Sequence, residues 1–118
     1  LETVPAVLAE DWGLTRIDCQ RGLLRVGADE IEIDLLARGY TASGSEVVVL
    51  GEVKSRLTSK EVDDFLEKVR RVRPTFPGID VRVLFFGFQA NLDARERIKT
   101  SGSSMLFSTG RFLKVFAA

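Results

Sequence analysis

The chain has 118 residues, 45% hydrophobic and 29% charged, with 17 Lys plus Arg against 17 Asp plus Glu. That is enough for one domain with a real core, and a zero net charge supplies no overall field to attract a polyanion. A single cysteine, Cys19, excludes an internal disulfide framework and suits a reducing, cytoplasmic setting, the absence of His removes His ligands and His bases, and no apolar run approaches membrane-spanning length.

The chain begins at Leu1 without Met, which reads as a fragment of a longer protein forming one domain over residues 1–118. Leu1, Val4, Leu8 and Trp12 fall near one stripe, predicting a helix over residues 1–12 with Pro5 in its first turn and Gly13 at its end. Residues 14–18 and 22–26 are strand candidates. Gly27-Ala28-Asp29 is a tight turn. It leads into Glu30-Ile31-Glu32-Ile33-Asp34-Leu35, where strict alternation predicts Ile31, Ile33 and Leu35 on the core side and Glu30, Glu32 and Asp34 together on the other. Residues 39–45 read as a hairpin loop. Val47-Val48-Val49-Leu50 is apolar throughout, as in a central strand buried on both faces.

After the central strand comes the clearest helix. Thr58 and Glu61 have capping-box spacing, and Val62, Phe65, Leu66, Val69 and Val72 form one apolar face that must stop before Pro74. Residues 81–88 read as a second central strand, with Phe85, Phe86 and Phe88 in the core rather than serving as a base-stacking platform. A strand, a helix and a strand imply a parallel pair joined by a right-handed crossover. Asn91 then caps a shorter helix ending near Gly102, and residues 105–107 and 112–116 are short strand candidates.

Chemistry concentrates where the apolar run breaks into Gly51-Glu52-Val53-Lys54-Ser55. Open α/β sheets place ligands at the carboxyl ends of their strands, and alternation sets Glu52 and Lys54 on one face with Val53 on the other. With the hairpin in register, Asp34 and Glu52 converge beside Lys54. Two carboxylates and an ammonium suit a divalent cation and a phosphate. Mg²⁺ prefers oxygen ligands and typically takes one or two protein carboxylates. Asp34 and Glu52 would supply those, the Val53 carbonyl a third oxygen, and Lys54 would hold or deprotonate the attacking water. Each signal alone also fits a solvated strand face; it is their coincidence that points to a site.

Asp34, a hairpin turn and then Glu52-Val53-Lys54 at a strand end resemble the PD-(D/E)XK nuclease superfamily. Glu32-Ile33-Asp34-Leu35-Leu36-Ala37 with Gly51-Glu52-Val53-Lys54-Ser55 is similar to its Holliday-junction-resolvase-like and restriction-enzyme-like branches, and to uncharacterised microbial nuclease-fold proteins. The resemblance implies an α/β restriction-endonuclease-like mixed sheet in the order helix, three-strand antiparallel meander, crossover helix, strand, helix, strand. It implies a Mg²⁺- or Mn²⁺-dependent DNA endonuclease with Asp34, Glu52 and Lys54 catalytic. It also implies an acid on the first helix, for which Glu2 has the spacing and Glu10 is the alternative. Ile33 stands where the family often has proline, and the helix after Lys54 carries no Gln, leaving Asp63 and Asp64 as the nearest polar candidates there.

The rival reading is a catalytically inactive nuclease-fold module that binds nucleic acid or protein; a third is the effector part of a larger protein. Arg56, Lys60, Lys68, Arg70, Arg71 and Arg73 form a basic tract beside the site, interleaved with acids as on a solvated helix face. Cleavage of both DNA strands calls for a homodimer, and the first helix and residues 105–116 are the expected apolar surface for it.

Overall fold

A computed structural model describes residues 3–107 and 112–113. The chain runs through α1 (Thr3–Trp12), β1 (Thr15–Val26), β2 (Asp29–Tyr40), β3 (Glu46–Val53), β4 (Arg56–Leu57), α2 (Ser59–Val72) and a 3-10 turn (Arg73–Thr75). It continues through β5 (Asp80–Gly87), β6 (Gln89–Ala90), α3 (Leu92–Thr100), β7 (Ser104–Phe107) and β8 (Phe112–Leu113). The main sheet has the order β1-β2-β3-β5-β7-β8, and β4 pairs with β6 in a separate two-strand ledge. The β1-β2-β3 part is an antiparallel meander. Parallel pairing of β3 with β5 is reached through α2, and of β5 with β7 through α3. This is the α/β arrangement of a restriction-endonuclease-like mixed sheet.

Both faces of the sheet are covered, which is why β3 is apolar at both parities. Val48 and Leu50 join Val62, Phe65, Val69 and Val72 of α2 and Ala94 and Ile98 of α3 in one core. Val47 and Val49 join Val4, Val7 and Leu8 of α1 in the other. Phe65 and Phe85 meet edge to face at 5.4 Å, fixing α2 against β5. The α2 N-terminus is a complete capping box: the Thr58 hydroxyl accepts from the Glu61 N–H, and the Glu61 carboxylate accepts from the Thr58 N–H.

Four expectations change. β1 is continuous from Thr15 to Val26 rather than two short strands. It runs through Gly22 because β2 lies so close that a Cβ there would meet the Leu36 Cβ at 3.0 Å. β2 extends to Tyr40, so the hairpin loop is shorter than residues 39–45. Phe88 is exposed, not core.

The fourth change matters most. Ile31 and Ile33 belong to the α2-side core, but Leu35 belongs to the α1-side core. Between the pairs Gln20↔Leu36 and Gly22↔Ile33, β2 advances one residue more than β1. That irregularity at Asp34 and Leu35 reverses the alternation and bends the strand, as bulges do. The β1-β2 end accordingly leans over α2, with Arg71 reaching Asp29 at 2.7 Å and Lys68 reaching the Glu32 carbonyl at 3.3 Å.

Candidate active site

The site forms where β2 bends, β3 ends and α2 begins. Glu52 continues the parity of Val48 and Leu50 and therefore stands on the α2 side of the sheet. Regular β2-β3 pairing begins at Leu35↔Gly51. At the next position the ladder is closed by a side chain: Asp34 Oδ2 accepts the Val53 N–H at 3.0 Å. The N–H and C=O of one strand residue point to the same edge, so the Val53 carbonyl also faces the Asp34 edge.

This arrangement sets Glu52 beside Asp34. Burial raises the Glu52 carboxyl to about 7, reinforced by the Asp34 charge and by hydrogen bonding with Asp34, against the opposing pull of Lys68 and then Lys54. Two neighbouring carboxyls, one of them raised to about 7, form a centre short of positive charge.

Lys54 follows the end of β3, where its N–H donates to the Phe86 carbonyl at 3.0 Å. Its carbonyl is approached so closely by β5 that a Cβ on Gly87 would lie 2.2 Å from the oxygen. Only glycine fits there. The Lys54 ammonium lies 3.9 Å from the Glu61 carboxylate, so the residue that caps α2 also holds this lysine.

The site differs from the sequence reading on the helix side. Asp63 and Asp64 are engaged elsewhere, with Arg97 and Lys60 respectively. The helix residues near the site are instead Glu61 and Lys68, seven apart and so on the same flank of α2. Lys68 was missed because a lysine in a charge-rich helix reads as solvated. Its signal was its spacing from the capping glutamate. Half of the basic tract is neutralised: Lys60 pairs with Asp64, Arg70 with Glu67 and Arg71 with Asp29.

Glu2 lies outside the described residues, and Glu10 is exposed near the end of α1, which packs on the other face of the sheet. Among the described residues no group of three or more acidic, Cys or His side chains comes together, so the described protein carboxylates at this point are the pair Asp34 and Glu52. Cys19 is half-buried on β1, with burial and the neighbouring Asp18 raising its thiol, which keeps it unreactive. Of the surface expected for self-association, Val4, Val7 and Leu8 of α1 and Met105 and Leu106 of β7 are buried inside the domain, while residues 108–111 and 114–116 lie outside the described residues. No helix among the described residues is long and apolar enough to cross a membrane.

No protein-family model matches the chain, and no curated protein matches it. Solved structures do. The chain is similar to the protein of unknown function AF1548 (TM-score 0.60, 15% identity, 89% of this chain and 55% of that one). It is also similar to EndoMS in the EndoMS-dsDNA2 complex (TM-score 0.54, 17% identity, 90% and 42%). A repair endonuclease from Pyrococcus abyssi aligns similarly (TM-score 0.53, 15% identity, 90% and 44%). The chain therefore spans about half the length of these proteins, and shares with them the restriction-endonuclease-like nuclease fold.

Proposed function

We propose that this domain is a divalent-metal-dependent DNA endonuclease. The observation that carries the reading is the meeting of Asp34, bonded to the Val53 N–H, with Glu52 and Lys54 on either side of Val53 at the carboxyl end of the central strand. A fold shared with endonucleases supports it. Asp34, Glu52 and the Val53 carbonyl offer only oxygen donors, which suits Mg²⁺ or Mn²⁺. The raised Glu52 carboxyl fits as well, because its strain is relieved by a nearby cation. The metal, when bound, would supply Lewis acidity and a bound water of lowered pKa.

The chain's own residues have separable tasks. Asp34 is oriented by the Val53 N–H and cannot swing away without losing that bond. Glu52 gives up its proton as the site fills. Lys54, steadied by Glu61, sits where it can orient the attacking water and neutralise the scissile phosphate. Glu61 would release Lys54 to the substrate phosphate, a stronger anion than a carboxylate already bound in the cap.

The second reading, an inactive nuclease-fold module, draws on the absence of a third acid among the described residues. A nicking assay on supercoiled plasmid separates the two. We expect cleavage with Mg²⁺ or Mn²⁺, lost in EDTA and in Asp34→Asn, Glu52→Gln and Lys54→Ala. Binding of DNA with no cleavage under any metal supports the inactive module. Relaxation to nicked circles without linear product would mean one strand is cut per encounter, and linear product would call for paired copies.

A further inference from the structure

Two of the three exposed large apolar side chains among the described residues follow the end of β5 within five residues of each other: Phe88 is 70% exposed and Leu92 80%. The backbone beneath Phe88 is fixed. Its N–H and that of Gln89 both donate to the Ser55 carbonyl, at 3.2 and 3.3 Å, and the Asn91 N–H donates to the Leu57 carbonyl at 3.1 Å. β4 and β6 pair through Arg56↔Gln89 and Leu57↔Ala90, and Leu57 is wholly buried. Gly87 is wedged against Lys54. An aromatic residue is thus held on a rigid ledge, with its backbone bonded to the residue after Lys54 and its ring in water.

The same ledge carries Arg56, which is exposed and makes no ion pair among the described residues. Size argues against a protein occupant. A stable protein interface takes about 800 Å² from each partner, whereas one large aromatic offers roughly 150–250 Å², and here only Leu92 accompanies it. An exposed aromatic and an exposed arginine carried on one small two-strand ledge are the composition used for unpaired nucleotides, the ring stacking on a base and the cation meeting the backbone.

We infer that Phe88 is a stacking platform for an unpaired nucleobase next to the scissile position, with Arg56 on the adjoining phosphate. The substrate class is then nucleic acid with a single-stranded or disrupted element rather than uniform duplex. The inference rests on the nucleic-acid reading of the neighbouring site.

The test is metal-free, so it does not depend on cleavage. Fluorescence anisotropy in EDTA compares a blunt duplex with the same duplex carrying a single-stranded tail. The parent should prefer the tailed form by about tenfold, the scale of one base–aromatic stack. Phe88→Ala should bring the two affinities to within about twofold with an unchanged melting temperature, while Phe88→Tyr and Leu23→Ala, the latter at the third exposed site, keep the preference. Equal affinities in the parent, or a preference that survives Phe88→Ala, would overturn the inference. So would a Phe88→Ala effect confined to self-association in sedimentation, which would make Phe88 a protein contact. A parent that prefers tails but never cuts would sustain the inference and sink the nuclease; one that cuts while Phe88→Ala changes nothing would do the reverse.

Discussion

The carboxyl of Glu52 is held beside that of Asp34, and burial together with this neighbour raises the Glu52 carboxyl to about 7. The unfolded chain releases that proton at an ordinary glutamate pKa, near 4.5. The folded state therefore binds more protons between those values. The contribution to stability is fully present below about pH 4.5 and is lost as pH rises to about 7. Solvent around a half-exposed carboxyl limits the amplitude to about 1 kcal/mol. Urea unfolding of the metal-free protein should show this decline. Glu52→Gln should flatten it, and equal slopes in the two proteins would mean the carboxyls are not coupled.

Lys68 outranks Lys54 among the cations acting on Glu52. It reaches the site from α2, anchored on the Glu32 carbonyl at 3.3 Å, whereas Lys54 is drawn toward Glu61. Lys68→Ala should therefore raise the Glu52 midpoint further in a carboxyl ¹³C NMR titration, and by more than Lys54→Ala does. The opposite order would show that the Lys54–Glu61 pair is looser than the structure makes it. In plasmid cleavage Lys54→Ala should abolish activity, while Lys68→Ala leaves turnover and weakens DNA binding with a shallower salt dependence.

Gly87 is the point at which β5 touches the site. A methyl group there meets the Lys54 carbonyl oxygen at 2.2 Å, and a backbone oxygen within paired strands cannot move aside alone. Gly87→Ala should cost about 1–3 kcal/mol in chemical denaturation, as overpacking does. Activity should fall more than stability accounts for, since the shift carries Lys54 with it. A neutral effect on both would mean β5 and the Lys54 segment separate easily.

Much of the fold was legible. The apolar parity of Val47 to Leu50, the Thr58–Glu61 box and the strand-helix-strand order are local signals, and tertiary structure agrees with each. The convergence of Asp34 and Glu52 was expected from hairpin register, yet it arises differently. Period-two reading carried Leu35 to the same face as Ile31 and Ile33, and the bulge sits where that alternation gives way to Leu35-Leu36-Ala37, an apolar run with no parity to read. The irregularity falls at Asp34 and Leu35, so the feature the pattern hides is the one that turns Asp34 to the end of the β2-β3 ladder. Phe88 was assigned to the core because it follows Phe85 and Phe86. The chain leaves the main sheet after Gly87, and burial ends with it. Lys68 was illegible because its partners, Glu32 and Glu52, are brought to it only by the lean of β2 over α2.

The central claim is that Asp34 and Glu52 hold a catalytic cation, and a Mn²⁺ thermal-shift series tests it most directly. A cation that binds the folded state alone stabilises it by about 2.7 kcal/mol at a hundredfold excess over Kd, roughly 10 °C for a domain of this size. The parent should show such a rise, and Asp34→Asn and Glu52→Gln should lose it while remaining at least nearly as stable as the parent without metal. Lys54→Ala should keep the rise or enlarge it, because it removes a competing positive charge. A parent whose melting temperature does not respond to Mn²⁺, or carboxamide variants that respond as strongly as the parent, would contradict the metal site.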